Sequence, residues 1–349
     1  MKKKSVRMQT NQIDEWKKKQ QRRNLILLCL FSILLLFSFL CNILFGATNV
    51  SLSGFLDALR SGNHSSYAYR IIFYVRLPRA LAALLSGMAL AVSGVIIQAV
   101  LGNPLAAPNI IGVNAGSGFA ALLIIGIFPQ ALSIMPFAAI AGALMTSLLI
   151  YLIAARTGAG KVTITLAGIA ISSILTAGMN TIKTIYPDSL YNSSSFLIGG
   201  FSGIGFKNIS FTWILIAIGI CLALMLAQKI DILSLGDVSA KSLGINIGFL
   251  RFVLIMIASI LAGSAVSFSG LLGFVGLIVP HIARRLVGNR HIMLIPVSIL
   301  CGASFVLLCD LISRLLFAPY ELPVGIIMSL IGGPFFLFLL LQKKGGLQI

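Results

Sequence analysis

An all-α polytopic membrane fold of about ten spans follows from three observations on this sequence. Hydrophobic residues make up 58% of its 349 positions and charged residues only 10%, with a mean hydropathy of +1.03. A soluble domain carries roughly a quarter charged residues, and only a bilayer accepts so much apolar surface on every side. The apolar residues also fall into runs long enough to cross ~30 Å of hydrocarbon as helices. Finally, Lys and Arg are spread unevenly around those runs, as the positive-inside bias requires.

The runs predict spans near 25–46, 80–101, 109–128, 134–155, 162–184, 208–228, 249–269, 271–287, 293–317 and 322–342. Leu250 to Val287 is too long for one span and must turn near Ser267–Gly273, whereas the glycine-rich 109–128 is expected to be partly unwound. Leu25 to Phe45 exceeds the ~7–15 apolar residues of a secretory signal, so it reads as an uncleaved first span. Before it lies a basic tail, residues 1–24, holding nine of the 26 Lys and Arg. The tail acts as a topology determinant and is a candidate for contact with anionic lipid. With the N-terminus cytoplasmic, 19 Lys and Arg fall inside and seven outside, including Arg60 and Arg70. Residues 25–342 then form the membrane domain and 343–349 a cytoplasmic tail. This placement explains the net charge of +18 by topology and not by nucleic-acid binding. Cys29, Cys41, Cys221, Cys301 and Cys309 all sit in apolar runs without metal-ligand spacing and read as small hydrophobes.

Gly87, Ala89, Ser93, Gly94 and Pro104 recur as Gly263, Ala265, Ser269, Gly270 and Pro280, at an offset of 176 residues. Ten spans run the two copies in opposite directions, the pattern of an inverted repeat. Small residues reused for helix packing would give the same matches.

Three groups of residues are not explained by lipid. Arg76, Arg79 and Arg314 lie at the expected outer end, against the charge bias. They snorkel to lipid phosphate or present bidentate donors to carboxylates of an external partner. The cytoplasmic loop 229–248 is polar, and Gly236 and Gly244 bracket a short helix with Asp237 at its start and Lys241 as its i,i+4 partner. Such a helix is a stiff connector or a peg for a cytoplasmic subunit. Glycine and proline also break the pattern at depth, in 103–118 (Asn103, Pro104, Gly112), in 269–288 (Pro280), and in an outer turn at Gly199 and Gly200. Non-helical backbone survives at membrane depth only where protein or a water-filled cavity covers it.

Acidic residues are scarce, and Asp310 alone falls well within a span, four residues before Arg314, which is expected to neutralise it. No G-x-x-x-x-G-K-[ST] pattern occurs. His281 reads as a hydrogen-bonded structural residue, and no metal site or catalytic constellation is expected.

The blocks Arg76 to Gly116, Leu233 to Gly244, Ser269 to Gly288 and Glu321 to Phe336 resemble the permeases of ABC importers for iron-siderophore, haem and cobalamin, the FecCD transport family. The resemblance covers nearly the whole chain from about Leu25. It implies a permease of the bacterial cytoplasmic membrane with both termini inside. A second permease, two cytoplasmic ATPase subunits and an external substrate-binding protein would complete the importer. By this resemblance Arg76, Arg79 and Arg314 receive glutamates of the binding protein. Leu235, Gly236, Asp237, Ala240, Lys241 and Gly244 belong to the coupling element in the ATPase cleft. Spans five and ten line the path, with Asn103, Pro104, Gly112, Gly199, Gly200, Pro280, Gly332 and Gly333 as gate or helix-break positions. The partner binds ATP and Mg2+, and this chain binds no cofactor. Ferric siderophore is the expected cargo, with haem or cobalamin as alternatives. An ion-coupled carrier is a rival of another class, and an intramembrane enzyme is disfavoured by the missing catalytic constellation.

Overall fold

A computed structural model describes residues 2–46, 48, 66–158 and 160–342. Arg60 and the tail 343–349 lie outside them. Among the described residues every regular element is helical. In chain order the helices are α1 (Lys2–Leu44), α2 (Leu77–Leu101), α3 (Val113–Ile127), α4 (Met135–Ala155), α5 (Lys161–Ile185), α6 (Pro187–Ile198) and α7 (Thr212–Met225). There follow α8 (Ala227–Ser234), α9 (Asp237–Ser242), α10 (Ile247–Ser269), α11 (Val275–Val287), α12 (His291–Leu315) and α13 (Val324–Gln342). A π-helical run, Ile71–Arg76, leads into α2.

Each expected span finds a helix: α1 to α5, α7, and α10 to α13. Among the described residues, eight helical stretches are long and apolar enough to cross a membrane. The other two spans, α3 and α11, are short for the reasons their sequences gave. A 3-10 turn, Pro108–Ile111, and the left-handed Gly112 precede α3. The turn expected at Ser267–Gly273 falls between Ser269, where α10 ends, and Val275, where α11 begins. The basic tail continues helically into α1. Among the numbered helices, α6 had no counterpart in the reading of spans, nor had α8 as a helix separate from α7.

The bundle is built around α2 and α10, which are largely buried and pack on each other. Helix α2 also packs on α12, and α10 on α4; α3 lies on α4, and α11 on α12. Exchanging α2–α5 for α10–α13 maps this packing onto itself, which is the two-fold pattern of an inverted repeat. One matched pair of glycines, Gly87 and Gly263, sits at matched crossings. A Cβ on Gly87 would lie 2.3 Å from the Gly302 carbonyl oxygen of α12, and one on Gly263 2.8 Å from Ala143 Cβ of α4. Gly94 is equally tight, 2.0 Å from the Gly276 oxygen of α11. Between membrane helices hydrophobic exclusion supplies no drive, so close backbone approach through small residues supplies van der Waals contact instead.

Candidate functional site

The two ends of the bundle carry different chemistry. At one end, the arginine end, Arg76, Arg79 and Arg314 come together, as the sequence reading required. They are not presented outward, however: their exposures are 4%, 6% and 3%. Each guanidinium has internal acceptors. Helix α1 ends here with carbonyls that lack intrahelical partners, and apolar surroundings make such groups costly to leave bare. Arg76 Nη1 donates to the oxygens of Ile43 (2.8 Å) and Leu44 (2.6 Å), and its Nη2 to that of Thr48 (2.5 Å). Arg314 donates to the carbonyls of Asn42 and Phe45 and to Asn42 Oδ1. Asn42 in turn donates to the Leu307 oxygen at 2.9 Å, which stitches α1 to α12. Gly46 leaves room for this, since a Cβ there would lie 3.2 Å from both guanidiniums. Helix C-capping by arginine therefore accounts for the burial of Arg76 and Arg314 here. The sequence reading offered snorkelling or docking for the three, and for Arg314 a pairing with Asp310.

Arg79 pairs with two carboxylates. Its Nε donates to Asp310 Oδ1 at 3.0 Å, its Nη2 lies 3.0 Å from the same oxygen, and its Nη1 donates to Glu321 Oε2 at 2.6 Å. Arg314 Nε reaches Asp310 Oδ2 at 3.2 Å, so the expected neutralisation holds, with Arg79 as a second partner. Asp310 is fully buried, whereas Glu321 is about a third exposed. Beside this pair opens a cleft of about 250 Å³ whose walls include Arg79, Glu321, Ser195, Gly200, Ser202 and Ser269. Gly199 and Gly200 form its turn: the Gly200 N–H donates to the Ser269 oxygen at 2.8 Å, and the Gly325 N–H to the Gly199 oxygen at 3.1 Å.

At the opposite end, the loop end, a six-residue helix, α9, lies between Gly236 and Gly244. Gly236 has φ 103°, which a side chain would strain. The Asp237 carboxylate accepts from Arg251 Nη2 at 2.7 and 2.9 Å, so its partner is a cation of α10 and not Lys241. Ala240, on the inner face of α9, is fully buried. The apolar side chains that project are Leu235, Val238 and Leu243, at 68%, 86% and 62% exposure. Of these the sequence reading named Leu235 alone. Apolar residues at this spacing in a polar loop were the signal for the other two. Asp231 of α8 accepts from the His291 N–H at 2.8 Å and lies 2.6 Å from His291 Nδ1.

The helix-break residues do not converge on one gate. Asn103 Oδ1 accepts from the Leu105 N–H at 2.9 Å in the turn after α2 that also holds Pro104. Gly112 faces Thr146 and Ile150 of α4, and Pro280 is buried within α11. Gly332 lies against the Phe274 ring, while nothing lies near a Cβ on Gly333. Phe274 itself has φ 65°, a strained conformation for a bulky side chain. His281 has no hydrogen-bond partner among the described residues; its ring meets Phe335 edge-on, at 6.1 Å between centroids. The cysteines are all free, with Cys301 and Cys309 buried and Cys29 and Cys221 exposed.

One membrane helix carries polar groups on an open face. Ser173, Thr176, Asn180, Thr181 and Thr184 of α5 are exposed. The hydroxyls of Ser173, Thr176, Thr181 and Thr184 each donate to the carbonyl four residues back, at 2.7–3.0 Å. Hydroxyl donors are thereby satisfied within the helix, and the stripe offers acceptor lone pairs without a fixed charge.

Residues 34–342 match the FecCD transport family. The chain is 37% identical over 325 residues to the Fe(3+)-citrate import system permease protein YfmE of Bacillus subtilis, covering 92% of this chain and 96% of that one. It is 36% identical over 348 residues to the Iron(3+)-hydroxamate import system permease protein FhuB of the same organism, covering 99% of this chain and 90% of the relative. A solved ABC transporter structure of the metal-chelate type, in an inward-facing conformation, superposes with a TM-score of 0.81 at 31% identity, over 90% of this chain and 98% of the other. The chain belongs to the FecCD transport family and is a multi-pass membrane permease of the ABC-transporter kind.

Proposed function

We propose that this chain is the permease of an ABC importer that carries a ferric chelate across the cytoplasmic membrane. The observation that carries the reading is the uncharged polar face of α5. Lipid gives that face no partner, whereas a path for a bulky hydrated chelate needs weak, numerous acceptors and no fixed charge to hold the cargo. A second permease, a further copy or a related chain, would close the path across α5 and α13. The termini and the loop end face the cytoplasm, as the charge distribution favours. There, Leu235, Val238 and Leu243 enter a cleft of the ATPase subunit, and ATP with Mg2+ acts in that partner.

The arginine end receives the binding protein. Because Arg76 and Arg314 cap α1, docking acts chiefly on Arg79. A carboxylate from outside competes with the partly exposed Glu321 for the same guanidinium, and its arrival releases the segment leading into α13. Selectivity between citrate, hydroxamate and other chelates then resides mostly in the binding protein.

The test is uptake into proteoliposomes holding the permease with its ATPase, supplied with binding protein and ATP. A panel of ferric citrate, a ferric hydroxamate, haem and cobalamin is offered. Uptake of a ferric chelate supports the reading, and uptake of haem or cobalamin alone would contradict the cargo assignment.

A further inference from the structure

Segment 229–248 is fastened to the bundle by two carboxylates, each on a basic side chain at the start of a different long helix. Asp237 receives Arg251 Nη2 of α10 at 2.7 Å, and the Arg251 side chain is only 3% exposed. Asp231 sits at the N-terminus of α12. It accepts from the His291 N–H at 2.8 Å and pairs with Nδ1 of the same residue at 2.6 Å, where the His291 side chain is wholly buried. A carboxylate at a helix N-terminus meets both an orphan N–H and the positive end of the dipole. The apolar face of α8 adds grip: Ala227, Ile230 and Leu233 are fully buried, and α8 packs on α2 and α12.

Both helices run through to the arginine end. Helix α12 finishes in Asp310 and Arg314. Helix α10 finishes in Ser269, whose oxygen holds the Gly200 turn of the outer cleft. Close-packed helices shift as units, because a dense interior is bistable instead of continuously deformable. A push on the exposed Leu235, Val238 and Leu243 therefore has two routes across the membrane, one beginning at the Asp237–Arg251 ion pair and the other at the Asp231–His291 hydrogen bonds.

We infer that Asp237 and Asp231 are the positioning residues that transmit movement of the loop, through Arg251 into α10 and through His291 into α12. The inference rests on the permease reading above. Its content is that these two pairs set coupling and not assembly.

The test uses the complete importer in proteoliposomes, with ATP hydrolysis, uptake and ATPase co-purification measured separately on each variant. For Asp237→Asn and Asp231→Asn the expected result is retained assembly and basal hydrolysis with uptake at least tenfold lower. The ATP consumed per chelate delivered rises accordingly. Reversing the first pair, Asp237→Arg with Arg251→Asp, is expected to recover uptake above either single change. Uptake at the wild-type level in both Asn variants would overturn the inference. So would a parallel fall of assembly, hydrolysis and uptake that the reversed pair fails to repair, the mark of a merely structural contact. A wild-type chain that binds no ATPase subunit would instead sink the permease reading itself, before any variant is made.

Discussion

The arginine end and the loop end of this bundle solve opposite problems. At the arginine end, charge is drawn in: three guanidiniums are buried against helix carbonyls and two carboxylates. At the loop end, apolar side chains are pushed out: Leu235, Val238 and Leu243 are exposed on and beside a short helix held by the Asp237–Arg251 pair. Exposed leucine and valine cost little singly, but three on one short projection make a contact face. The difference teaches that residue type alone misplaces the work. The charged end is largely self-satisfied and stabilises the fold, whereas the loop end leaves apolar side chains without internal partners.

Substitutions at the two ends should separate accordingly, and the largest effect on stability is expected at Asp310. Removing it leaves Arg79 and Arg314 buried without their shared carboxylate, and breaking a buried pair costs ~3–5 kcal/mol. Asp310→Ala should therefore show the steepest loss of monodisperse protein on heating in detergent, and an unchanged melting profile would refute the buried pairing. Arg76→Ala comes next. It leaves the last carbonyls of α1 without donors, at ~1–3 kcal/mol, and the same assay should place it between Asp310→Ala and the wild type.

Glu321→Gln should be milder, because the carboxylate is partly exposed and such pairs are worth ~1 kcal/mol or less. Its reading is in docking: with Arg79 less occupied, affinity for the loaded binding protein should rise, measured on permease in nanodiscs. A fall would reverse the competition proposed for that guanidinium. Smallest in stability is Val238→Ser, within about 0.5 kcal/mol as for most surface changes. Yet it should weaken ATPase co-purification more than any of the other three. Retained co-purification would remove the contact face from the loop end.

The spans were legible because the bilayer demands length and apolarity that few other contexts do. Even the short α3 and α11 were announced by Gly112, Gly270 and Pro108 in or beside them. Helix α6 was not, since Pro187–Ile198 is neither span-length nor uniformly apolar. At the sites, sequence gave depth without neighbours. It placed the three arginines at one end but could not show that α1 would terminate beneath two of them. The i,i+4 rule offered Lys241 to Asp237, because local spacing is all a helix rule sees. Arg251, 14 residues on, wins by returning at the start of α10. The partnerless ring of His281 is likewise a fact of packing, set by Phe335 on a helix more than fifty residues away.

The central claim, that an ATPase partner drives transport through this chain, is tested most directly by uptake in two kinds of proteoliposome. One holds the chain alone under an imposed proton or sodium gradient. The other holds the assembled importer with ATP and loaded binding protein. Ferric chelate should accumulate only in the second, and accumulation by the lone chain under a gradient would contradict the account.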